Sequence, residues 1–157
     1  MSKTTRATSF LAQAGIAHHV HSYDYAPDGA KVGLQAADAL GEDPARVLKT
    51  LMIEIDGKPA CVIIPSDREL SMKKAAAAFG AKSARMMKPA DAERITGYHV
   101  GGISPFGQKR RLPVAIEAGA MGEALVYING GQRGLQVRLA PGDAARALSA
   151  VVAEIAA

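Results

Sequence analysis

The stretch from Val47 to Ile64 constrains the fold of this chain more than any other. Val47, Lys49, Leu51, Ile53 and Ile55 recur with a period of two, and Leu48, Thr50, Met52 and Glu54 fall on the opposite face. That alternation is the mark of a strand. Asp56-Gly57-Lys58-Pro59 then supplies turn residues, and Ala60 to Ile64 is wholly apolar. The two runs read as a β-hairpin in the middle of the chain.

Around this hairpin the pattern mixes helices and strands. Thr4 or Thr5 can cap a first helix carrying Ala7, Phe10, Leu11 and Ala14, which Gly15 ends. A strand is expected at 17–23 and a helix at 33–40. Beyond the hairpin, a helix at 71–79 ends at Gly80, a strand follows at 83–87 and a helix at 89–95. Further strands are expected at 112–117, 124–128 and 134–139, the last two joined by the turn Asn129 to Arg133. A final helix is predicted over 141–155, with Pro141 in its first turn and Ala145, Leu148, Val152 and Ile155 at helical spacing. Without strict alternation, these elements predict an α+β domain rather than a doubly wound sheet. Aromatic residues make up 4% of the chain and tryptophan is absent, so the core must be aliphatic. The 157 residues suit one domain spanning 1–157, with no linker or internal repeat.

Several classes lose support at once. The single cysteine, Cys61, rules out an internal disulfide, and its apolar run is the setting of a buried, inert thiol. Met1 to Thr8 lacks the apolar centre of a signal peptide, and no run approaches the ~20 apolar residues of a membrane span. A cytoplasmic protein with no membrane contact is expected. The formal net charge of +4 is compatible with a polyanionic partner. Lys73, Lys74, Lys82, Arg85 and Lys88 cluster mid-chain, and Lys109-Arg110-Arg111 follow a glycine-rich loop.

Lys49 is the most informative residue, a lysine on the apolar face of its strand. Two readings satisfy that position: an edge lysine that snorkels to water, or a pocket lysine that holds an anionic or carbonyl ligand. The loop Gly97-Tyr98-His99-Val100-Gly101-Gly102-Ile103-Ser104-Pro105-Phe106-Gly107 likewise reads as a simple connection, or as backbone able to approach a ligand and polarise a carbonyl. It is not a phosphate-binding P-loop, because Gln108 stands where that motif needs lysine. His18, His19 and His21 lack the Cys or acidic companions of a metal site, and no Gly-x-Ser-x-Gly elbow is present. No metal and no cofactor are expected.

The strings Val47-Leu48-Lys49-Thr50-Leu51, Gly97-Tyr98-x-Val100-Gly101-Gly102-Ile103-Ser104-Pro105-x-Gly107-Gln108-Lys109-x-Arg111-Leu112-Pro113 and Gly130-Gly131-x-Arg133-Gly134-Leu135 resemble the YbaK/EbsC family. Its members are free-standing Cys-tRNA(Pro) deacylases related to the editing domain of prolyl-tRNA synthetase. The likeness runs from about Ile16 to the C-terminus.

The resemblance implies an α+β fold with a mixed, barrel-like β-sheet flanked by helices. It implies that Lys49, Gly101 and Gly102 carry the reaction, and that Tyr23, Val32, Ile103, Ser104, Pro105, Asn129 and Gln136 line the substrate pocket. Lys73, Lys74, Lys109, Arg110 and Arg111 become candidates for nucleic-acid contact. Mischarged tRNA is the implied substrate and prolyl-tRNA synthetase the implied partner. In the family's mechanism the thiol of the attached cysteine attacks its own ester. Val32, Asn129 and Gln136 stand where the family carries phenylalanine, serine and aspartate, so deacylation of Ala- or Ser-tRNA is an alternative within the same chemistry. A non-catalytic module that binds tRNA or an amino acid is the alternative outside it.

Overall fold

The computed structural model describes residues 4–26 and 32–157. In chain order these form α1 (Arg6–Gln13), β1 (His19–Ser22), α2 (Val32–Leu40), β2 (Leu48–Ile55), β3 (Lys58–Pro65), α3 (Met72–Ala78), β4 (Ala84–Met86), α4 (Pro89–Thr96), β5 (Val114–Glu117), β6 (Val126–Asn129), β7 (Leu135–Leu139), α5 (Pro141–Leu148) and β8 (Val151–Ala153). Val32 opens α2, but its side chain, expected in the substrate pocket, lies outside the described residues.

The predicted hairpin is the centre of the molecule. β2 and β3 pair antiparallel from Leu48–Pro65 to Ile55–Lys58. Around them a five-stranded sheet runs β4-β2-β3-β5-β8, with β5 and β8 added in parallel. A second sheet of three antiparallel strands runs β1-β7-β6. The two meet at a bridge between Val47 and Tyr127. The fold is α+β as expected, but the strands form two sheets instead of closing into a barrel.

Both faces of the hairpin are covered, which explains why β3 has no polar alternation. On one face Leu48, Met52, Cys61 and Ile63 pack against Val126, Ile128, Val137 and Leu139 of the three-stranded sheet, with Leu11 and Phe106. On the other face Ile53, Val62 and Ile64 pack against Ala75 of α3 and Ile155 near the C-terminus. Every residue from Ala60 to Ile64 is fully buried. At roughly 25 cal/mol per Å² of apolar surface, a fully buried Ile or Val is worth ~1.5–3 kcal/mol. β3 is therefore among the most costly segments to disturb.

The helix expected over 141–155 is shorter. It ends at Leu148, where Ser149 turns into the left-handed region at φ 50° and its N–H donates to Ala145 O and Arg146 O. Val151 to Ala153 then run beside β5 as β8. Leu148, Val152 and Ile155 do sit at helical spacing, but β-branched Val151 and Val152 also suit an edge strand. The tail beyond β8 is fastened to the loop before α3. Ser71 N donates to Ile155 O (2.8 Å), and Ala157 N donates to Glu69 O (2.8 Å).

Candidate functional site

The site begins with an interruption in sheet pairing. β2 bonds to β3 through its odd-numbered residues, as Ser66 N donating to Val47 O shows at the strand's start. Its even-numbered main chain faces the opposite edge, where Met87 N donates to Met52 O (3.1 Å). On that edge β4 covers only Ile53 to Ile55, and the bridge to Tyr127 lies back at Val47. Thr50 falls in the gap, where among the described residues its main chain has no ladder pairing on that edge.

A cavity of about 490 Å³ opens along this gap, within the range of small-molecule sites. Leu48, Lys49, Thr50 and Leu51 all line it. Because side chains alternate along a strand, consecutive residues can share one cavity only when it borders the strand edge and reaches both faces. Glu69, Leu70, Met72 and Met86 line the Lys49 side, and Ile103, Gly101, Asn129 and Gln136 complete the wall. Lys49 is half-buried and opposite Ile64. Lys49 thus borders a cavity, as the pocket reading of that lysine requires.

The polar end of the cavity is under-satisfied. Gln136 is 2% exposed, and its Oε1 has no hydrogen-bond partner. Thr50 Oγ1, also on the lining, is buried without a partner. Tyr23, expected to line the pocket, does not line this cavity; it lies beside Gln136. Burial raises the phenol's pKa, and the nearby Gln136 side chain only partly offsets this. Buried polar atoms left unpaired cost stability unless a ligand or water completes them. Two of them on one lining mark a place suited to a hydrogen-bonding guest.

The glycine loop divides. Gly101 lines the cavity at φ +92°, a conformation that favours glycine. Asn129 holds it from behind: Nδ2 donates to Gly101 O (3.3 Å), while Oδ1 accepts from Gly131 N (2.7 Å). Asn129 therefore positions Gly101 and ties it to the β6–β7 turn. Gly102 is different. Its N–H donates to His99 O (2.8 Å), and it does not line the cavity. The amide expected to polarise a carbonyl is already committed within the loop.

Ile103 reaches the cavity, but Ser104 and Pro105 do not. Ser104 is fully buried and its Oγ accepts from Phe106 N (3.1 Å), which shapes the loop. Pro105 lines a separate, smaller cavity with Phe10, Arg110 and Arg111. Of the basic residues, Lys73 is exposed next to Met72 at the large cavity. Lys74 donates through Nζ to Ala156 O (3.1 Å). Arg110 and Arg111 border the other cavity, and Arg111 donates to Ser149 Oγ. Lys109 is exposed. The basic groups thus do not form one patch around the large cavity.

Cys61 lies in the core, where burial pushes its thiol up to about 12, and it does not line the large cavity. Among the described residues, no three His, Cys, Asp or Glu side chains converge as metal ligands. Sequence reasoning missed Thr50, Glu69, Leu70, Met72 and Met86. Thr50 was within reach, since it adjoins Lys49; the others come to the cavity through tertiary packing alone.

Residues 26–147 match the aminoacyl-tRNA editing domain family. EbsC of Enterococcus faecalis, a candidate Cys-tRNA(Pro)/Cys-tRNA(Cys) deacylase, is 32% identical over 139 residues, covering 87% of this chain and 84% of that protein. A proline–tRNA ligase of Acidithiobacillus ferrooxidans is 30% identical over 96 residues, which are 61% of this chain but 17% of the ligase. In fold, the crystal structure of a candidate trans-editing enzyme for prolyl-tRNA synthetase superposes with a TM-score of 0.85 at 22% identity, covering 99% of each chain. A lysine beside an open strand edge, a glycine loop facing it and a family match across most of the sequence converge on one statement: this chain belongs to the aminoacyl-tRNA editing domain family.

Proposed function

We propose that the protein is a trans-acting deacylase that removes a wrongly attached amino acid from tRNA, with Cys-tRNA(Pro) as its substrate. The observation that carries this reading is the cavity itself, which joins Lys49 and Gly101 to the unpartnered Gln136 Oε1 and Thr50 Oγ1. An aminoacyl ester is already activated, so positioning and carbonyl polarisation suffice without a nucleophile from the protein.

Lys49 would hold the terminal adenosine's phosphate or hydroxyl. Gly101 and the open-edge Thr50 N–H would face the ester carbonyl, and Gln136 Oε1 would accept from the substrate's α-amino group. With cysteine attached, its sulfur forms a bond to the ester carbon as the bond to the ribose oxygen breaks. The thiol proton passes to that oxygen, giving a thiolactone and free tRNA. Water attack would give the free amino acid instead. Gln136 offers a neutral acceptor where the family carries aspartate, and this favours keeping Ser- and Ala-tRNA as a second substrate reading. The tRNA's identity would be read with prolyl-tRNA synthetase as partner, in the cytoplasm.

The test is deacylation of tRNA(Pro) carrying cysteine, alanine or serine, with and without prolyl-tRNA synthetase, and with analysis of the products. Cysteine released as thiolactone is expected. Lys49→Ala should lower the rate by at least ~10²-fold while leaving the melting temperature nearly unchanged. Tight binding with no turnover of any charged tRNA would sink the enzymatic reading.

A further inference from the structure

Next to Gly101, which lines the cavity, sits a cation outside the proposed catalytic set. Arg133 is exposed, in the turn between β6 and β7. Its Nε donates to Val100 O (2.8 Å), and its guanidinium lies over the Tyr25 ring, 5.6 Å from the centroid. Val100 and Gly101 both line the cavity. A side-chain carbon added to Gly101 would come within 3.2 Å of Arg133 Nε and 3.0 Å of Tyr25 Oη. Among the described residues, the two terminal amino groups of this guanidinium have no hydrogen-bond or ion-pair partner.

An arginine held at Nε and resting over an aromatic ring has given up part of its rotamer freedom before any ligand arrives. What remains is a pair of parallel N–H donors held at the rim, the geometry that suits phosphate oxygens. Lys109, Arg110 and Arg111 lack this relation to the large cavity. Lys73 adds a second positive charge on the opposite side, beside Met72.

We infer that Arg133 clamps a phosphodiester of the RNA strand whose 3′ end enters the cavity, with Tyr25 as its support. The inference rests on the editing reading for the identity of the strand, but not for its test. Binding of an uncharged acceptor-stem hairpin, ending in the tRNA 3′ sequence, is measured against salt for the wild type, Arg133→Gln and Arg133→Lys. Arg133→Gln should weaken binding about tenfold. It should also reduce the slope of log affinity against log salt by about one. Arg133→Lys, which keeps the charge but loses the fork, should fall between.

A second arm separates phosphate contact from support of the loop. Cleavage of charged tRNA is compared with cleavage of a 3′-aminoacyl-adenosine that has no phosphate. The loss in Arg133→Gln should be about tenfold greater on the tRNA. Equal losses on both substrates would mean that Arg133 acts only by holding Val100, and unchanged hairpin affinity and slope would overturn the proposal outright. If the wild type cleaves neither substrate, the editing reading fails, and the hairpin titration still decides the role of Arg133.

Discussion

Gly101 and Gly102 are neighbours, yet a methyl group would meet different surroundings at each. At Gly101 it would approach the ends of two side chains, Tyr25 Oη and Arg133 Nε, with the backbone in a conformation that favours glycine. At Gly102 it would run into main chain, 2.7 Å from Arg133 N and 2.8 Å from the Gln132 carbonyl carbon. Main chain cannot swing aside, so Gly102→Ala should push the loop off the β6–β7 turn at a cost of about 1–3 kcal/mol. A melting temperature lowered by several degrees is the expected reading. Gly101→Ala should instead lose activity beyond what its own backbone strain of roughly 1–3 kcal/mol explains. If thermal melts and rates fell in parallel for the two variants, this division of roles would be wrong. The motif string placed both glycines together in the sequence, but not the hydrogen bond from Gly102 N to His99 O that separates them. That bond depends on how the loop turns after Gly101, which residue types do not reveal.

Among the elements, the last residue of β5 explains how the C-terminal segment is held in place. Glu117, the last residue of β5, is 5% exposed, and its carboxylate accepts from Gly119 N (2.9 Å), Ile155 N (2.8 Å) and Ala156 N (2.9 Å). Burial alone would raise its pKa, but the three N–H donors outweigh this and hold the carboxyl below its ordinary value of 4.5. Protonation therefore favours the unfolded chain. The stabilisation is complete above about pH 4.5 and is lost as pH falls through the folded value. Glu117→Gln should be less stable by about 1–3 kcal/mol at pH 7. Urea titrations down to pH 3 should show the gap to wild type narrowing, and a gap constant with pH would refute the charge-based account. The hairpin, α1 and α4 were legible in the sequence because alternation, caps and turn residues agree locally. β8 was not, because the tail's apolar spacing fits a helix, and its pairing depends on a carboxylate far away in the chain.

The whole molecule turns on leaving one strand edge unfinished. Closing the two sheets into a barrel would have paired Thr50 with a neighbour and filled the cavity. As built, β4 stops at Met86 and, among the described residues, the pairing with the β6 side is one bridge at Val47, so the central strand's edge borders the cavity beside Lys49. The alternation that singled out Lys49 carried this information in part; the gap itself depends on where β4 and β6 end. A substitution at Thr50 can test whether the open main chain contributes. Proline has no N–H and is tolerated on strand edges where that group makes no ladder bond. Lys49 before it is already extended, as a residue preceding proline prefers. Thr50→Pro should therefore fold, as read by circular dichroism and melting. Thr50→Val removes only the hydroxyl and measures the share of Oγ1. If the Thr50 N–H faces the ester carbonyl, the proline variant should be slower than the valine variant by about 10²-fold in kcat, the usual cost of deleting one such donor. Equal rates in two folded variants would leave Gly101 as the carbonyl's main-chain donor and give the gap a purely steric role.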